Sequence, residues 1–393
     1  MSQLKTNAIR HTTATSDAIT LASDGTATAK ITNNLSNRNL IINGAMQVFQ
    51  RGNSSTTESS YTADRFKVVW SGLDESLTYA KHGLTSSDTG PWAKGFRNSL
   101  HVTNGNQTSG AGAADRAAIN YAFEAQDIAQ SGWDYTSASS YVTFSFWVKS
   151  SVAQNFYFSI RTDDGTAYNY PIETGSLTAD TWTKVTKTIP GNANLTVDNN
   201  DGAGLYLEMV LFRGTDSTGT ITLNQWSTYS GSVRTPDNTS TWYTTNDSTF
   251  EITGLQLEVG DVATEFEHRS YGDELARSQR YYYRHCTGSD SDDVQHASVT
   301  ENATNYSSTS VFCSMNFPVT MRNRPSLEIT NTSNAFEMFY DGGTANPASF
   351  GRDGITTKNT GCMNKGGLSI SAGKGAMIRT NAAATYVAWS SEF

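Results

Sequence analysis

The stretch ITGLQLEVGDVATEFEHRSYGDELARSQRYYYR, running from Ile252 to Arg284, decides how the rest of the chain is read. Within Ile252–Val259, Leu255, Leu257 and Val259 alternate with Gln256 and Glu258, the period-two pattern of a strand with one buried face. Gly254 marks a bulge and Gly260 the strand's end. Ser270 stands three residues before Asp273, a capping-box spacing, and Leu275, Ser278 and Tyr282 continue at helical intervals. A β-rich region therefore closes here, and a short helix over residues 270–285 carries the chain onward.

Working back from that closing strand, the same alternation recurs. In YVTFSFWVK (Tyr141–Lys149), Val142, Phe144, Phe146 and Val148 share one face. Phe156, Phe158 and Ile160 alternate with Tyr157 and Ser159, and Leu205, Leu207, Met209 and Leu211 with Tyr206 and Glu208. Several such strands punctuated by turns predict a two-sheet sandwich over residues 39–269. Ala113–Gln130 is ambiguous: its alanines favour helix, but Ile119, Tyr121 and Phe123 repeat at two, so the segment is expected as strand. Residues 1–38 are polar, with short strands expected at Ile19–Leu21 and Ala29–Thr32 around the turn Ser23-Asp24-Gly25-Thr26. Such an arm cannot bury enough apolar surface to be stable alone and is expected to order on assembly.

Working forward, the acidic, Ser-rich run Gly288–Asp293 is expected as a loop. A second β-region follows over residues 286–393. Val311, Cys313, Met315 and Phe317 alternate, Pro318 and Pro325 bracket a break, and Met377–Arg379 and Thr385–Phe393 supply later strands. The fold class is all-β: a jelly-roll sandwich, a short helix and a smaller C-terminal β-domain, with an extended N-terminal arm.

Composition agrees. Of 393 residues only 17% are charged and 7 are Pro, while Gly (32), Tyr (18) and Phe (17) are plentiful, which suits polar-faced sheets with aromatic cores rather than a helical bundle. A net charge of −9 without a basic run argues against nucleic-acid binding. No apolar run is long enough to span a membrane, and the N-terminus lacks the apolar core of a secretory signal, so synthesis in a cytoplasm without export is expected. Cys286, Cys313 and Cys362 are odd in number and widely spaced, which favours free thiols over a disulfide framework or a zinc site.

Catalytic motifs are missing: there is no nucleophile elbow, phosphate loop or paired histidine on a helix, so no catalytic residue, cofactor or metal is assigned. The six histidines are dispersed, and His268, beside Glu267 and Arg269, is expected as a hydrogen-bonded residue at a domain junction. Asp163, Asp164, Glu265 and Glu267 could supply a glycosidase pair, but carboxylates near turns ordinarily face solvent. The aromatic residues point elsewhere. Sugars are held by flat aromatic faces flanked by polar side chains, and Asn224–Thr245 sets Trp226, Tyr229, Trp242 and Tyr243 among Ser, Thr and Asn, making these four the candidate glycan-binding residues. Tyr281-Tyr282-Tyr283 cannot all face one core, which points one or more of them at a neighbouring subunit.

NLIINGAMQVFQRG (Asn39–Gly52), YTADRF (Tyr61–Phe66), YVTFSFWVKS, the Ile252–Arg284 stretch, FPVTMRNRP (Phe317–Pro325) and AWSSEF (Ala388–Phe393), in this order, resemble a family of bacteriophage tail-fibre and virion structural proteins with a carbohydrate-binding-module-like jelly roll, of the kind carried by marine phages and cyanophages. The resemblance implies a virion component, a homotrimeric fibre joined to other virion proteins through residues 1–38, whose β-domains contact host-surface carbohydrate. A structural decoration protein of capsid, neck or tail without sugar binding is the alternative, and a polysaccharide-degrading enzyme a distant third.

Overall fold

The computed structural model describes residues 6–15, 17–23, 25, 27–29, 37–288, 297–299 and 302–393. The core strands are β1 (Lys67–Ser71), β2 (Thr78–Gly83), β3 (Asn98–Thr103), β4 (Arg116–Glu124), β5 (Tyr141–Ser150), β6 (Asn155–Thr162), β7 (Tyr168–Ser176), β8 (Thr183–Pro190), β9 (Ala203–Arg213) and β10 (Thr249–Val259). They form a six-stranded sheet in the order β8-β5-β10-β3-β2, with Ser54–Ser55 at the edge. Facing it is a seven-stranded sheet in the order β7-β6-β9-β4-β1, flanked by Ser227–Thr228 and Ser60–Tyr61. From β3 to β10 the chain crosses between the sheets at each step except the β6–β7 hairpin. Every pairing is antiparallel. The resulting strand orders, β3-β10-β5-β8 against β4-β9-β6-β7, are those of a jelly roll.

The alternating residues build its core. Phe144, Phe146 and Phe158 meet with centroids 4.6–6.4 Å apart, and each buried aromatic of this kind contributes about 1.5–3 kcal/mol by leaving water. Gly254 sits at the expected bulge, opposite the register shift between Ser145 and Trp147. Its φ is +65°, and a Cβ there would lie 2.6 Å from the Phe96 ring, so both backbone and packing require glycine. Gln256 and Glu258 do leave the core face of β10, but both are buried. Residues 264–267 fold over them: Glu258 accepts from Thr264 N (2.8 Å) and Gln256 Oε1 from Glu267 N (2.8 Å).

Several local expectations need correction. The segment 113–130 is strand only through Glu124; α1 (Ala125–Ala129) follows, its Ala125 and Ile128 buried. The alanines within β4 have a different role from helix formation. Ala118 and Ala122 alternate away from the core residues Ala117, Ile119, Tyr121 and Phe123 and lower the outer surface of the sheet. The arm forms a small sheet from Ala8–Ile9, Ile19–Leu21 and Ala27–Ala29, so its third strand starts earlier than expected. The remainder of the expected strand, residues 30–32, lies outside the described residues, as does the acidic loop from residue 289 onward. Asn37 and Arg38 already belong with the sandwich: Asn37 N donates to Glu267 Oε1 (2.6 Å) and Asn39 N to Glu267 Oε2 (2.8 Å).

The helix α2 (Tyr271–Gln279) is capped by the Ser270 hydroxyl, which accepts from Asp273 N, but it ends well before residue 285. Tyr282–Thr287 is instead a strand, β11, paired with β18 (Tyr386–Ser390), which also pairs with β14 (Ser326–Ile329). The C-terminal domain is therefore tied in from Tyr282. Its other strands are β12 (Asn302–Asn305), β13 (Val311–Asn316) and β16 (Thr360–Lys365) in one sheet, and β15 (Phe336–Tyr340) with β17 (Met377–Thr380) in another. Val311, Cys313, Met315, Met363 and Trp389 lie in its core; all three cysteines are buried, and Cys313 and Cys362 are free.

The three tyrosines need no second subunit. Tyr281 and Tyr282 are buried, stacked under the guanidinium groups of Arg65 (3.4 Å) and Arg51 (3.5 Å), and Tyr283 packs on the C-terminal core beside Phe317. No described helix is long and apolar enough to cross a membrane.

Candidate functional site

The antiparallel register lays polar side chains in rows across the outer face of the seven-stranded sheet. Lys67 pairs with Asn120, Asn120 with Glu208, and Glu208 with Ser159. In the adjacent row Ala122 pairs with Tyr206, Tyr206 with Arg161, and Arg161 with Asn169. The intervening residues Tyr121, Leu207 and Ile160 are in the core, so strand alternation directs these rows outward. Small Ala122 and the short Asn120 leave room between the longer side chains. The result is a groove formed by two hollows of about 290 and 280 Å³ that share Asn120 and Tyr206.

One end of the groove is walled by Tyr229 and Arg234, the other by Tyr61, Lys67 and Phe393. Arg161 stands between two tyrosines, 4.8 Å from the centroid of Tyr206 and 4.8 Å from that of Tyr229, and is held by Asp163 at 3.2 Å. Glu208 is paired with Arg213 and lies 3.9 Å from Arg234. Burial, with Asp163 adding to it and Arg161 opposing, raises the Tyr206 phenol above its ordinary pKa, so it stays protonated and can both donate and accept. Three polar atoms of the lining residues remain unspent: Asn120 Oδ1, Arg116 Nε and Arg65 Nε are buried without a hydrogen-bond partner. All are closed off from solvent, so a hydroxylated ligand would satisfy such an acceptor or donor once the side chains around it shift.

Of the four aromatic residues singled out from sequence, the groove keeps only Tyr229. Trp242 and Tyr243 are 0% and 1% exposed and cannot stack on a sugar. The helical turn Thr241–Thr244 folds inward and plugs one end of the sandwich. There Trp242 Nε1 donates to Thr249 O (3.0 Å), and Tyr243 stacks on Phe212 (4.2 Å) and donates its hydroxyl to Asp115 (2.9 Å). Trp226 is also buried, against Tyr170, with its Nε1 donating to Pro190 O (2.7 Å). Tyr61, Tyr206 and Arg161 were not singled out. Their signal was present in part, because the alternation that buries Leu205, Leu207 and Met209 necessarily turns Tyr206 and Glu208 outward.

The carboxylates considered for hydrolysis have other work. Asp164 accepts from Asp198 N (2.8 Å), Glu267 clamps the main chain at residues 37 and 39, and Glu265 is exposed beside Lys94. Among the residues lining the two hollows, Glu208 has the one carboxylate side chain. His268 lies at no domain junction: it is exposed, packs on Phe96 and Phe266, and bonds Lys94 O (2.8 Å). A further hollow of about 450 Å³ beside Arg38, Asp127 and Arg277 offers charges but no aromatic face.

No protein-family model matches the chain, and no curated protein matches it in sequence. Among solved structures it is similar to the enzymatically active domain of tailspike protein 4 of bacteriophage CBA120, at 12% identity over 56% of this chain and 21% of that one, with a TM-score of 0.29. It is also similar to the N-terminal cellulose-binding domain of β-1,4-glucanase C from Cellulomonas fimi (10% identity, 54% of this chain, 97% of that one, TM-score 0.26). A third is the family 11 carbohydrate-binding module of Clostridium thermocellum in complex with a mixed-linked tetrasaccharide (12% identity, 55% and 98%, TM-score 0.24). The chain spans about a fifth of the length of that tailspike domain. The jelly roll rests on the strand order and register, and the groove on its own geometry.

Proposed function

We propose that the chain binds glycan without turning it over, holding a polysaccharide in the groove on the seven-stranded sheet. The observation that carries this is the Tyr206–Arg161–Tyr229 stack beside the unpartnered Asn120 Oδ1. The two phenol rings offer apolar faces to the C–H side of sugar rings, while Arg161, Arg234 and Asn120 address hydroxyls. A shallow groove of this kind supports millimolar to micromolar affinity per copy, which becomes useful through several copies on one particle.

The setting is a phage virion, by the resemblance of the motifs, and the assembly is a homotrimeric fibre anchored through the arm. The arm's small sheet leaves Ile9 52% and Leu21 38% exposed, apolar surface that a neighbouring chain would cover.

The test is affinity electrophoresis of the purified chain in gels containing a panel of bacterial surface polysaccharides, followed by titration calorimetry. The expected result is retardation by at least one polysaccharide, lost in Tyr206→Ala. A chain that none retards would instead serve as structural decoration.

A further inference from the structure

The outer face of the opposite, six-stranded sheet gathers two of the six histidines that look dispersed in sequence. In register, His101 stands opposite Glu251, and His82 lies two residues along the neighbouring strand, opposite Ser99. All three therefore point to one side of β2, β3 and β10. His82 Nδ1 lies 2.8 Å from Glu251 Oε2, and His101 Nδ1 lies 3.4 Å from Glu251 Oε1. The three ligand atoms are all within 4.8 Å of one another.

We propose that His82, His101 and Glu251 bind a divalent transition-metal ion, zinc by the chemistry of the donors, and that the Lys149 ammonium holds the cation's place when no metal is bound. Two imidazoles and one carboxylate match the borderline character of zinc and leave a fourth position open to water. Zinc–ligand bonds of about 2.0–2.2 Å in a tetrahedron set neighbouring donors about 3.3–3.6 Å apart, so the observed separations require only small side-chain movements. The second nitrogen of His101, Nε2, bonds Thr103 Oγ1 at 3.2 Å. That contact turns Nδ1 toward the cluster, the outer support typical of a metal-binding histidine. His101 Nδ1 is buried and makes no hydrogen bond.

Glu251 is 2% exposed, and a buried carboxylate requires a cation. Lys149 Nζ supplies one, 2.8 Å from Glu251 Oε1 and 3.3 Å from Asp88 Oδ1. Its four-carbon stem lets it withdraw to Asp88, which Trp182 Nε1 also holds at 3.0 Å. Zinc and the ammonium thus compete for one carboxylate, and removing the ammonium tightens zinc. The bound ion would join three neighbouring strands near the sheet edge. The site lies on the sheet opposite the groove, so its success or failure is independent of glycan binding.

The test uses the untagged full chain, stripped with a chelator, and zinc chloride titrated by calorimetry at pH 7.5, with cobalt absorption as a coordination signature. One ion per chain is expected. His82→Ala and His101→Ala should each weaken binding at least about tenfold, and Lys149→Gln should tighten it by about the same factor. That gain cannot come from a misfolded variant. Absence of zinc uptake by both the native chain and Lys149→Gln overturns the proposal. So does uptake that both histidine substitutions leave unchanged, which would place the ion elsewhere, or an affinity that Lys149→Gln does not raise.

Discussion

Arg280 grips Glu124 with both prongs of its guanidinium, Nε to Oε1 at 2.6 Å and Nη2 to Oε2 at 2.8 Å. One residue closes the helix that leads to the C-terminal domain; the other ends a central strand of the sandwich. Glu124 is fully buried, and the Tyr281 hydroxyl also donates to Oε1. Beside it Arg322 donates to Ser391 O and Asp201 O (2.7 Å each), and Arg65 pairs with Glu392. The two β-domains are thus joined by charge-assisted hydrogen bonds around a buried carboxylate, not by a flexible tether.

Glu124→Gln keeps the shape and removes the charge. Arg280 is about one-third exposed and regains some hydration, so the expected loss is about 2–4 kcal/mol, toward the lower part of the range for a broken buried pair. Urea unfolding checks this, and a second transition from a decoupled C-terminal domain is expected. An unchanged midpoint would mean that the pair merely breaks even against its desolvation.

Tyr206→Ala and Trp242→Ala separate binding from folding. Tyr206 is half-buried at the groove, and its loss should weaken polysaccharide binding at least about tenfold, about 1.4 kcal/mol, with little change in melting temperature. Trp242 is wholly buried, and its truncation should cost about 3–5 kcal/mol through the cavity left behind. Any reduced glycan binding by Trp242→Ala should track the unfolded fraction. Calorimetric titration and thermal melts on both variants decide, and the reverse pattern would restore Trp242 as a binding residue.

The contrast shows what sequence pattern carries. Strand periodicity is local, so YVTFSFWVK, the Gly254 bulge and the Ser270 cap were legible from neighbouring residues alone. The end of α2 was not: Tyr282 continues the helical spacing, but it pairs with Ser390, more than 100 residues away. Trp242 and Tyr243 were misplaced because their Ser, Thr and Asn neighbours look like solvent-facing loop. Thr241, Thr244, Thr245 and Asn246 do face solvent, but the two aromatic rings between them turn inward, and Asn104 Nδ2 holds their main chain by donating to Tyr243 O at 2.6 Å. The groove draws Lys67, Asn120, Arg161, Tyr206 and Tyr229 from separate strands and a loop, and no window of sequence contains them together.

Asp64 makes a pH prediction. It is buried, accepts from Gln50 N at 3.0 Å, and its burial, opposed by Arg51 and the Gln50 hydrogen bonds, pushes its carboxyl to about 6. A carboxyl raised on folding contributes stability that is complete below its ordinary value and is lost as pH rises through about 6. Asp64→Asn removes that dependence. The stability of the variant relative to the native chain should therefore improve by about 1 kcal/mol between pH 5 and 7.5, measured by urea midpoints at both values. A constant difference would show that Asp64 does not titrate in this range.

The arm tests assembly. Its described strands run from Ala8 to Ala29, and the sandwich takes hold of the chain at Asn37. Deleting residues 1–36 therefore spares the Glu267 clamp on Asn37 and Asn39. The remaining domains have their own cores, so the truncated chain should melt as the full one does. If the arm's exposed Ile9 and Leu21 are covered by sister chains, light scattering should give three times 42.6 kDa for the full chain and a single-chain mass for the truncation. A full-length monomer would remove the self-assembling fibre and leave an arm that orders only on the particle. A truncated trimer would instead move the assembly contacts onto the β-domains.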